Sequence, residues 1–563
     1  MRWTLKPKPE VTKVKHLKDQ LQINDVLATL LVQRGIETYQ NAKHFFRPSL
    51  EDLHDPFLMK DMEIAVSRIE KAITAGEHIL VYGDYDVDGT SSVALMSTYL
   101  KTKTKTVATY IPDRYEEGYG VSYKGIDFAH DNDFSLIIAL DCGVKAIDKV
   151  FYAKNKGIDF IICDHHRPGI QLPDAVAILD PKRQDCAYPY KELCGCGVGF
   201  KLIQALNLKG GNSIDALTSY LDLVVLAIGA DIVPITGENR VLAYFGLQVV
   251  NSNPRPGIET ILRQANKKNI TITDLVFRVA PRINAAGRMK HGNYAVTLLS
   301  ETNVILVNEY AAEIEQFNLD RKKTDKQITN EALQQIKDNK EEEKITTVVF
   351  NDTWHKGVIG IVASRLIETY YRPTIVFTKS GEFLAASARS IPGFDVYNAL
   401  ESCSQHIEQF GGHKYAAGLT IKPENYEAFK QAFENEVSRT INLACMTPEV
   451  KVDASIGLDQ VDQKLWRILR QFAPFGPGNM SPIFMSGNLK DTGFGKCVGE
   501  DLKHLRMTLT QSGVITIPGI GFSLGNKLNI ISNHKLFKAI YSVNENHWQG
   551  NTTLQLIIKD IKS

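Results

Sequence analysis

Short apolar runs that end in polar or charged residues recur along the first half of the chain. HILVYGDYDVDG, SLIIALDCGV, DFIICDHH and VAILDP all have this form. Continuous runs rich in β-branched residues are typical of buried parallel strands, which carry functional groups at their carboxyl ends. The stretch TSSVALMSTYL, which follows the first run, has helical spacing instead. The pattern over residues 55–250 therefore predicts an α/β domain built on a parallel sheet.

A long charged helix is predicted after this domain. The stretch from Glu301 to Lys344 contains no Pro and no Gly, and its apolar residues recur at helical spacing. A helix of about 40 residues would be about 60 Å long at 1.5 Å per residue, which indicates a connector between two lobes. The alternative is a pair of shorter helices that separate at the run DNKEEEK.

Three further segments follow from the same kind of pattern. ITTVVF and PTIVFT, with a helical stretch between them, predict a second, smaller α/β domain. After about residue 446, five or so short β-like runs separated by Gly, Asn and Lys predict a small barrel or sandwich. The first residues predict a short helical lead-in. The predicted segments are residues 1–50 (lead-in), 51–290 (first α/β domain), 291–344 (connecting helix), 345–445 (second α/β domain) and 446–563 (β-barrel).

Composition and charge limit the classes of function. Of the 563 residues, 44% are hydrophobic and 23% are charged, which is typical of globular proteins and excludes a disordered chain. Lys and Arg number 65 against 64 Asp and Glu, so the formal net charge is only +1. A chain of this charge that binds nucleic acid must use local basic surfaces and metal ions.

Cysteine usage and hydropathy predict the compartment. The eight cysteines are too sparse for a disulfide framework and form no CxxC pair, so we expect reduced thiols. The amino-terminal residues lack the apolar run of a signal peptide. The most apolar stretch, Leu221 to Val233, contains two Asp and is too short to span a bilayer. We therefore expect a cytoplasmic protein with no membrane contact.

Carboxylates and imidazoles gather at the ends of the predicted strands. The segment DYDVDG offers alternating carboxylates, which an extended backbone would turn to one side. So many like charges need a cation partner, and a mixed Asp and His set suits Mn²⁺ or Mg²⁺, two of which can activate water for attack on phosphorus. Taken singly, each residue could instead be a helix cap or a satisfied polar group. The candidates are Asp84, Asp86, Asp88, Asp141, Asp164, His165, His166 and Asp231.

These segments resemble a known family. DYDVDG, ALDCGV, CDHH and GADIVP, in this order and spacing, are similar to the four motifs of the DHH phosphoesterase superfamily. The resemblance implies a doubly wound α/β domain that holds two divalent metal ions. It makes Asp86 a ligand of one ion and Asp141 a bridge between the two. The ligands of the other ion would be Asp88, His165 and Asp231.

The same resemblance assigns the remaining polar residues and exposes one departure. Asp164 and His166 would orient the substrate. Many family members have a His ligand two residues before the first Asp of the motif, where this chain has Tyr82. This departure leaves the first ion with few ligands, and Asp84 is our candidate replacement.

A glycine-rich segment is the first candidate for phosphate binding. GGHKYAAG predicts a Gly-rich loop, in which Gly411 and Gly412 would let the backbone approach a phosphate closely. A tight turn is the alternative. The segment resembles the GGH motif of the DHHA1 domain, and this resemblance implies that His413 contacts the phosphate that is cleaved.

Basic segments in both predicted lobes are the second candidate. Arg side chains suit phosphate because their planar donors match its oxygens, although a solvated basic face is the alternative. DRYEEGYG, PRINAAGRM, WHKGVIGIVASRL, SARSIPGFD and QFAPFGPGNMSPIF resemble the RecJ subgroup of the superfamily. This resemblance places Arg114, Ser387 and Arg389 on the phosphate of the 5′ end and Arg282 on a backbone phosphate nearby. Further candidates for phosphate binding in these segments are Asn284, Arg288 and His355.

The resemblance covers nearly the whole chain and implies a function. It implies a single-strand-specific DNA exonuclease that degrades 5′ to 3′ to mononucleotides in recombination and repair, with a DHH domain, a DHHA1 domain and a carboxyl-terminal OB-fold. A single-strand-binding protein and a RecQ-type helicase are partners of the kind we expect. The alternatives are a phosphodiesterase for short oligonucleotides or cyclic dinucleotides and a non-catalytic replication scaffold. For Trp466 and Trp548, base stacking and core packing both stay open.

Overall fold

The computed structural model describes residues 1–263, 267–532, 535–548 and 551–563, without the side chain of Trp548. Its strands are β1 Arg2–Leu5, β2 His78–Gly83, β3 Val107–Tyr110, β4 Phe134–Leu140, β5 Asp159–Cys163, β6 Ala177–Leu179, β7 Thr347–Phe350, β8 Thr374–Ser380, β9 Phe383–Arg389, β10 Gln409–His413, β11 Ala416–Ile421, β12 Glu449–Val452, β13 Ala454–Ser455, β14 Phe484–Asp491, β15 Lys496–Val498, β16 His504–Thr510, β17 Thr516–Gly521, β18 Phe537–Trp548 and β19 Asn551–Lys562.

Helices connect and cover these strands. They are α1 Val11–Leu21, α2 Asp25–Val32, α3 Tyr39–Phe46, α4 Met62–Ala75, α5 Val87–Leu100, α6 Tyr123–Asp131, α7 Ile147–Asn155, α8 Gly195–Lys209, α9 Leu221–Ala230, α10 Gly237–Ser252, α11 Pro256–Arg263, α12 Ile272–Asp274, α13 Ala280–Met289, α14 Asn293–Ser300, α15 Val304–Asp338, α16 Ile359–Tyr370, α17 Val396–Ser402, α18 Tyr426–Thr440, α19 Gln463–Arg470 and α20 Leu528–Ile531.

A five-stranded parallel sheet forms the centre of the first lobe. Its strand order is β3-β2-β4-β5-β6, so the chain moves outward from β2 in one direction and then returns to build the other side. The direction of winding therefore reverses between β2 and β4. In doubly wound sheets the carboxyl ends of the strands diverge at this point and open a crevice for ligands. The predicted doubly wound α/β domain is confirmed.

Two apolar layers enclose this sheet. On one face, α4, α5, α8 and α9 form a large core with alternate strand residues, and nearly every residue of α5 and α9 is buried. On the other face, α6 and α7 cover a smaller core. Burial on both faces explains why the strands are apolar runs without polar alternation.

A single helix of 35 residues, α15, joins the two lobes. Val307 and Ile314 pack in the core of the first lobe, whereas Ile328 and Ile336 pack in the core of the second. At 1.5 Å per residue the helix is about 52 Å long. The structure thus shows one unbroken helix in place of the two shorter ones, and the helix ends at Asp338, where the run DNKEEEK begins. The predicted connecting segment also contains the separate short helix α14.

The second lobe has a mixed five-stranded sheet in the order β10-β11-β9-β8-β7. β7 and β8 are parallel, and the other pairs are antiparallel. One face packs against α17 and α18 residues, and the other packs against α16 and the second half of α15. The second α/β domain is therefore confirmed.

The last domain is a barrel. Seven strands follow the order β13-β14-β18-β19-β17-β16-β15, and an additional pairing of β14 with β16 closes the sheet on itself. This is more than the five or so strands that the pattern indicates, because short pieces such as β13 and β15 carry no clear alternation. Trp466 is half-buried against the barrel core, which favours core packing; the side chain of Trp548 lies outside the described part.

The amino-terminal segment packs with the barrel, and it contains a short strand in addition to the helices α1, α2 and α3. β1 pairs in parallel with β12, with Arg2 opposite Glu449. Leu17, Leu27 and Leu30, from the helices that follow, lie in the same core as the barrel residues. The strand escaped prediction because its partner lies more than 400 residues away, so no local pattern marks it.

Hydropathy and thiols complete the description. Among the described residues, no helix combines the length and the apolar character needed to cross a bilayer. All eight cysteines are free thiols, and six of them are buried.

Candidate functional site

Three aspartates mark the carboxyl edge of the first-lobe sheet. Asp84 follows β2, Asp141 follows β4 and Asp164 follows β5, directly after the last strand residue in each case. All three are at most 2% exposed. Because β2 and β4 flank the point where the sheet reverses its winding, Asp84 and Asp141 lie on the crevice that the topology opens. The apolar runs of the sequence predict these positions correctly.

The acidic segment after β2 is a strand-to-helix turn, so its predicted extended conformation is wrong. Asp86 caps α5, and its Oδ1 accepts a hydrogen bond from the Gly89 amide at 3.0 Å. A side-chain cap of this kind stabilises the start of a helix, which favours a turn into α5 over an extended segment. Asp88 lies in the first turn, where its two oxygens accept the amides of Gly195 and Cys196 at 2.7 Å each. These contacts fix the direction of the Asp88 carboxylate.

Two sets of side chains converge on His165, with potential ligand atoms within 4.8 Å of one another in each set. The Nε2 atom of His165 lies 3.2 Å from Asp141 Oδ1, 3.6 Å from Asp231 Oδ2 and 3.9 Å from Asp88 Oδ2. Asp231 comes from the end of α9 rather than from a strand. Within the described ranges, Asp84 and Asp86 join neither set. The sets are Asp88, His165 and Asp231, and Asp141, His165 and His166.

This centre gathers three carboxylates, and among the described residues no Lys or Arg lies within ion-pair distance of Asp88, Asp141 or Asp231. Burial, and then the neighbouring carboxylates, raise the pKa of Asp88 and Asp141 well above the usual range. Burial also lowers the pKa of His165 to about 3, so its ring is neutral at physiological pH. Asp141 Oδ1 and His165 Nε2 have no hydrogen-bond partner. Oxygen and neutral imidazole ligands that lack a partner fit divalent ions such as Mn²⁺ or Mg²⁺.

Asp164 faces the protein and holds His166. It accepts the Val144 amide at 2.9 Å, the His165 amide at 2.7 Å and the Nδ1 atom of His166 at 2.7 Å. Although burial alone would raise it, the hydrogen bond and charge of His166 lower the pKa of Asp164 to about 2. The carboxylate is therefore ionised and fixes the ring of His166 beside the metal-ligand sets.

A second cluster, of arginines, lies where the two lobes meet. Arg114 and Arg288 come from the first lobe and Arg389 from the second. Burial, and then Arg114 and Arg389, lower the pKa of Arg288 to about 10. Arg389 donates to Ser387 Oγ at 2.9 Å, and Arg288 donates to the carbonyl of Gly357 at 2.9 Å. In the described part of the chain, none of the three arginines has a carboxylate partner within ion-pair distance. Guanidinium groups gathered in this way form an anion site.

The other predicted phosphate-binding residues differ in their surroundings. His355 belongs with the arginine cluster, because burial and then Arg114 lower its pKa, and its ring meets the ring of Tyr115 edge to face at 6.0 Å. Arg282 does not, because it forms an ion pair with Glu315 on α15. Asn284 is half-buried on α13.

The glycine-rich segment is a β-hairpin, so the predicted loop is wrong. Gly411, Gly412 and His413 end β10, and β11 returns beside it, with Gly412 opposite Ala417. A side chain at Gly412 would meet the Ala416 carbonyl at 2.4 Å, and its φ is +146°, so the tight crossing of the strands requires glycine. His413 is exposed at the tip.

His413 faces the metal-ligand residues across the cleft. Partial removal of its ring from water lowers its pKa, and the charges of His166, Lys145 and Lys182, all in the first lobe, lower it further. The second lobe therefore brings one imidazole toward the imidazole of His166 in the first.

Two features of the site escaped the sequence analysis. The CGCG segment at the start of α8 supplies the amides that bind Asp88, and a side chain at Gly195 would lie 2.5 Å from Asp141 Cβ. The clustered glycines were the available signal. The hydroxyl of Tyr119 lies 3.2 Å from Nε2 of His166. In the sequence, Tyr119 is one of the aromatic residues beside Arg114 in DRYEEGYG, and no role is predicted for it.

Comparison with known proteins agrees with this architecture. Family descriptions match residues 78–228 ("DHH family, N-terminal domain"), 341–439 ("DHHA1 domain") and 452–560 ("RecJ OB domain"). The "Single-stranded-DNA-specific exonuclease RecJ" of Bacillus subtilis (strain 168) is 35% identical over 571 aligned residues, which cover all of this chain and 70% of that protein. The chain belongs to the RecJ family.

Solved structures of RecJ proteins share its fold. The RecJ of Thermus thermophilus, crystallised with Mn²⁺, superposes with a TM-score of 0.86 at 24% identity and covers 100% of this chain and 79% of its own. An exonuclease RecJ bound to manganese gives a TM-score of 0.61 at 29% identity, over 70% of this chain and 98% of its own. The first of these structures covers the whole of this chain, and therefore all three domains described above.

Proposed function

We propose that the protein is a single-strand-specific DNA exonuclease that removes mononucleotides from the 5′ end with two divalent metal ions. One observation supports this most strongly: in the part of the chain that the structure describes, carboxylates without a Lys or Arg partner and half-buried arginines without a carboxylate partner lie at the cleft between the two lobes. A phosphodiester end with its metal ions supplies both missing partners. The name of the Bacillus subtilis relative points to the same substrate.

We assign the first set of metal ligands from the convergence on His165: Asp88, His165 and Asp231 would hold one ion. Asp141 would contribute to the binding of a second ion, for which the family resemblance, and not the convergence of ligand atoms, supplies Asp84 and Asp86. When bound, such ions supply Lewis acidity and an activated water. The RecJ structure with manganese at 29% identity supports the choice of ion.

The protein's own residues orient the phosphate. Asp164 fixes the ring of His166 through Nδ1, so its Nε2 side faces the cleft. His413 approaches from the opposite lobe on a hairpin that glycine allows to cross closely. Donors on both sides of a phosphate stabilise the negative charge that develops during hydrolysis.

The arginine cluster would set the polarity of degradation. A terminal 5′-phosphate carries more charge than an internal phosphodiester, and Arg114 and Arg389 with Ser387 offer several donors in one place. His355 and Arg288 line the same place. A strand held there by its 5′ end presents its first internal phosphate to the metal-ligand residues.

Single-strand specificity would come from the cleft and the barrel. The strand must pass between the lobes, and the OB domain would hold the rest of it through stacking and backbone charge. A single-strand-binding protein and a RecQ-type helicase stay predictions as partners.

The test is a nuclease assay with Mn²⁺ on long single-stranded DNA labelled at either end, with duplex and RNA controls. We expect immediate release of a mononucleotide from the 5′ label only. Asp141→Asn should abolish it, whereas Asp174→Asn, at an exposed carboxylate of the same lobe, should not. Cleavage of dinucleotides alone, or no cleavage by folded, metal-loaded protein, would contradict the proposal and favour a small-nucleotide phosphodiesterase or a non-catalytic factor.

A further inference from the structure

The loop between β3 and α6 places an open tyrosine ring in the cleft. Tyr119 lies between Gly118 and Gly120, which have φ values of +85° and +79°. Both glycines adopt the left-handed conformation that other residues avoid, and this turns the side chain between them outward. Tyr119 is 58% exposed, so a large aromatic face is available to a ligand.

The loop is held in place without any ligand. The Glu117 carboxylate accepts the Asp113 amide at 2.7 Å and the Tyr110 hydroxyl at 2.9 Å. The Tyr82 hydroxyl donates to the Gly120 carbonyl at 2.9 Å. Tyr82, at the position where the family resemblance implies a metal ligand, therefore serves this loop. The backbone on either side of Tyr119 is thus held before a strand arrives.

Tyr119 also lies between the two charged clusters. Its hydroxyl is 3.2 Å from His166 Nε2, beside the metal-ligand residues. Its ring meets the ring of Tyr85 edge to face at 6.3 Å. Tyr85 in turn lies 4.6 Å from the guanidinium carbon of Arg114. Arg114, Tyr85, Tyr119 and His166 thus form a row from the arginine cluster to the metal-ligand residues.

A nucleic-acid end would place its terminal nucleoside along this row. If the 5′-phosphate lies at the arginines and the next phosphate lies at the metal-ligand residues, the nucleoside that joins them must cross the space in front of Tyr119. Every base has a π face, so stacking on an aromatic ring holds the base without selecting its identity. An enzyme that removes each nucleotide in turn requires this kind of contact.

We propose that Tyr119 is the platform on which the 5′-terminal base stacks. The contact would be a specificity-determining one that requires a base at the end of the strand without distinguishing among the four. It rests on the proposed function above, because the ligand is the end of a nucleic-acid strand.

The first test compares two 5′-phosphorylated single strands, one with a normal terminal nucleotide and one with an abasic tetrahydrofuran residue in that place. We expect the wild-type protein to release the abasic residue about tenfold more slowly, which is the size of one stacking contact. The Tyr119→Leu variant should release the normal terminal nucleotide about tenfold more slowly than the wild type, and it should release the normal and the abasic terminal residue at the same rate. Tyr119→Phe should keep the discrimination, because the ring persists.

A second readout needs no cleavage. In EDTA, a strand that carries 2-aminopurine at its 5′-phosphorylated end should lose fluorescence on binding to the wild-type protein, because stacking quenches this base. The loss should persist with Tyr119→Phe and shrink with Tyr119→Leu. Tyr123→Leu is the matched control, since Tyr123 is 47% exposed in the same lobe and packs against Tyr152.

The outcomes separate this proposal from the proposed function. Equal abasic discrimination by wild type and Tyr119→Leu, or equal quenching, would overturn the role of Tyr119 while cleavage from the 5′ end still stood. No 5′ cleavage of any strand by the wild-type protein would overturn the function itself.

Discussion

The metal-ligand residues and the arginine cluster bury opposite charges in different ways. Asp88, Asp141, His165 and Asp231 all come from the first lobe, on strand ends and helix ends that the sheet fixes. The arginine cluster takes Arg114 and Arg288 from that lobe and Arg389 from the other. On the proposed function, metal binding would need one lobe, whereas recognition of the strand end would need both lobes in their correct relation.

Charges elsewhere in the protein show that neither cluster is an accident of packing. The buried carboxylate of Asp222 accepts the Arg255 amide at 2.9 Å and its guanidinium at 2.8 Å. This pair is complete within the chain. A buried charge with such a partner needs no ligand, whereas clustered charges that lack one are the candidates for ligand binding.

The largest effect should come from removing one metal ligand. Asp231→Asn should lower cleavage by about 1000-fold or more, because the centre then binds a divalent ion poorly. Binding of a 5′-phosphorylated strand in EDTA should be unchanged. Rate measurements with Mn²⁺ and anisotropy without it test both halves. If strand binding falls in parallel with cleavage, the two clusters are not independent.

Removing one arginine should weaken recognition of the strand end and leave metal binding intact, which is the reverse of the effect expected for Asp231→Asn. Arg389→Ala should lower the preference for 5′-phosphate over 5′-hydroxyl ends by about 10- to 100-fold, since charge-assisted hydrogen bonds are lost. Affinity for Mn²⁺, measured by titration, should not change. Arg365→Ala is the control, because Arg365 pairs with Asp325 at 2.8 Å. An unchanged preference would show that Arg389 does not contact the end phosphate.

Metal removal should make stability depend on pH. Burial and neighbouring carboxylates raise the pKa of Asp88 and Asp141, and that of Asp231 to about 7. The folded protein then holds protons that the unfolded chain has released, so stability falls as pH rises from the usual Asp range through about 7. Melting in EDTA should show this decline, by a few °C. Mn²⁺ should abolish the decline, and a flat profile in EDTA would contradict the charge assignment.

The smallest effect should come from the loop that crosses between the clusters. Tyr82→Phe removes the buried hydrogen bond to the Gly120 carbonyl and should cost about 1 kcal/mol of unfolding free energy. Cleavage should slow only modestly, because both clusters are intact. Tyr99→Phe, at another buried tyrosine, is the control for denaturation and rate. A loss equal to that of Asp231→Asn would mean that Tyr82 serves the metal centre after all.

The parts of the fold that depend on residues within one segment could be predicted from the sequence pattern. The strand ends at Asp141 and Asp164 were evident because a buried parallel strand must be a continuous apolar run. Helical structure over this stretch could be predicted because nothing between Glu301 and Lys344 interrupts helical hydrogen bonding, although the sequence left one long helix and two shorter ones both open. Its end at Asp338 coincides with a dense run of charge.

Contacts between distant residues decided the rest. Asp86 caps a helix because the Gly89 amide lies within reach, which an alternation of carboxylates cannot reveal. The GGH segment is a strand because β11 returns to pair with it. Tyr119 gained a role only when the fold brought His166 beside its hydroxyl. Arg282, predicted to bind phosphate, instead meets a carboxylate on α15.

The pairing of β1 with β12 has a consequence for biosynthesis. Leu17, Leu27 and Leu30 are translated before both lobes, and the barrel strands that pack with them are translated after both lobes. The two lobes must therefore be made while the apolar faces of α1 and α2 have no packing partner. A nascent chain in this state exposes a surface that favours aggregation. Synthesis of the barrel strands thus completes the packing of α1 and α2 as well as that of the barrel itself.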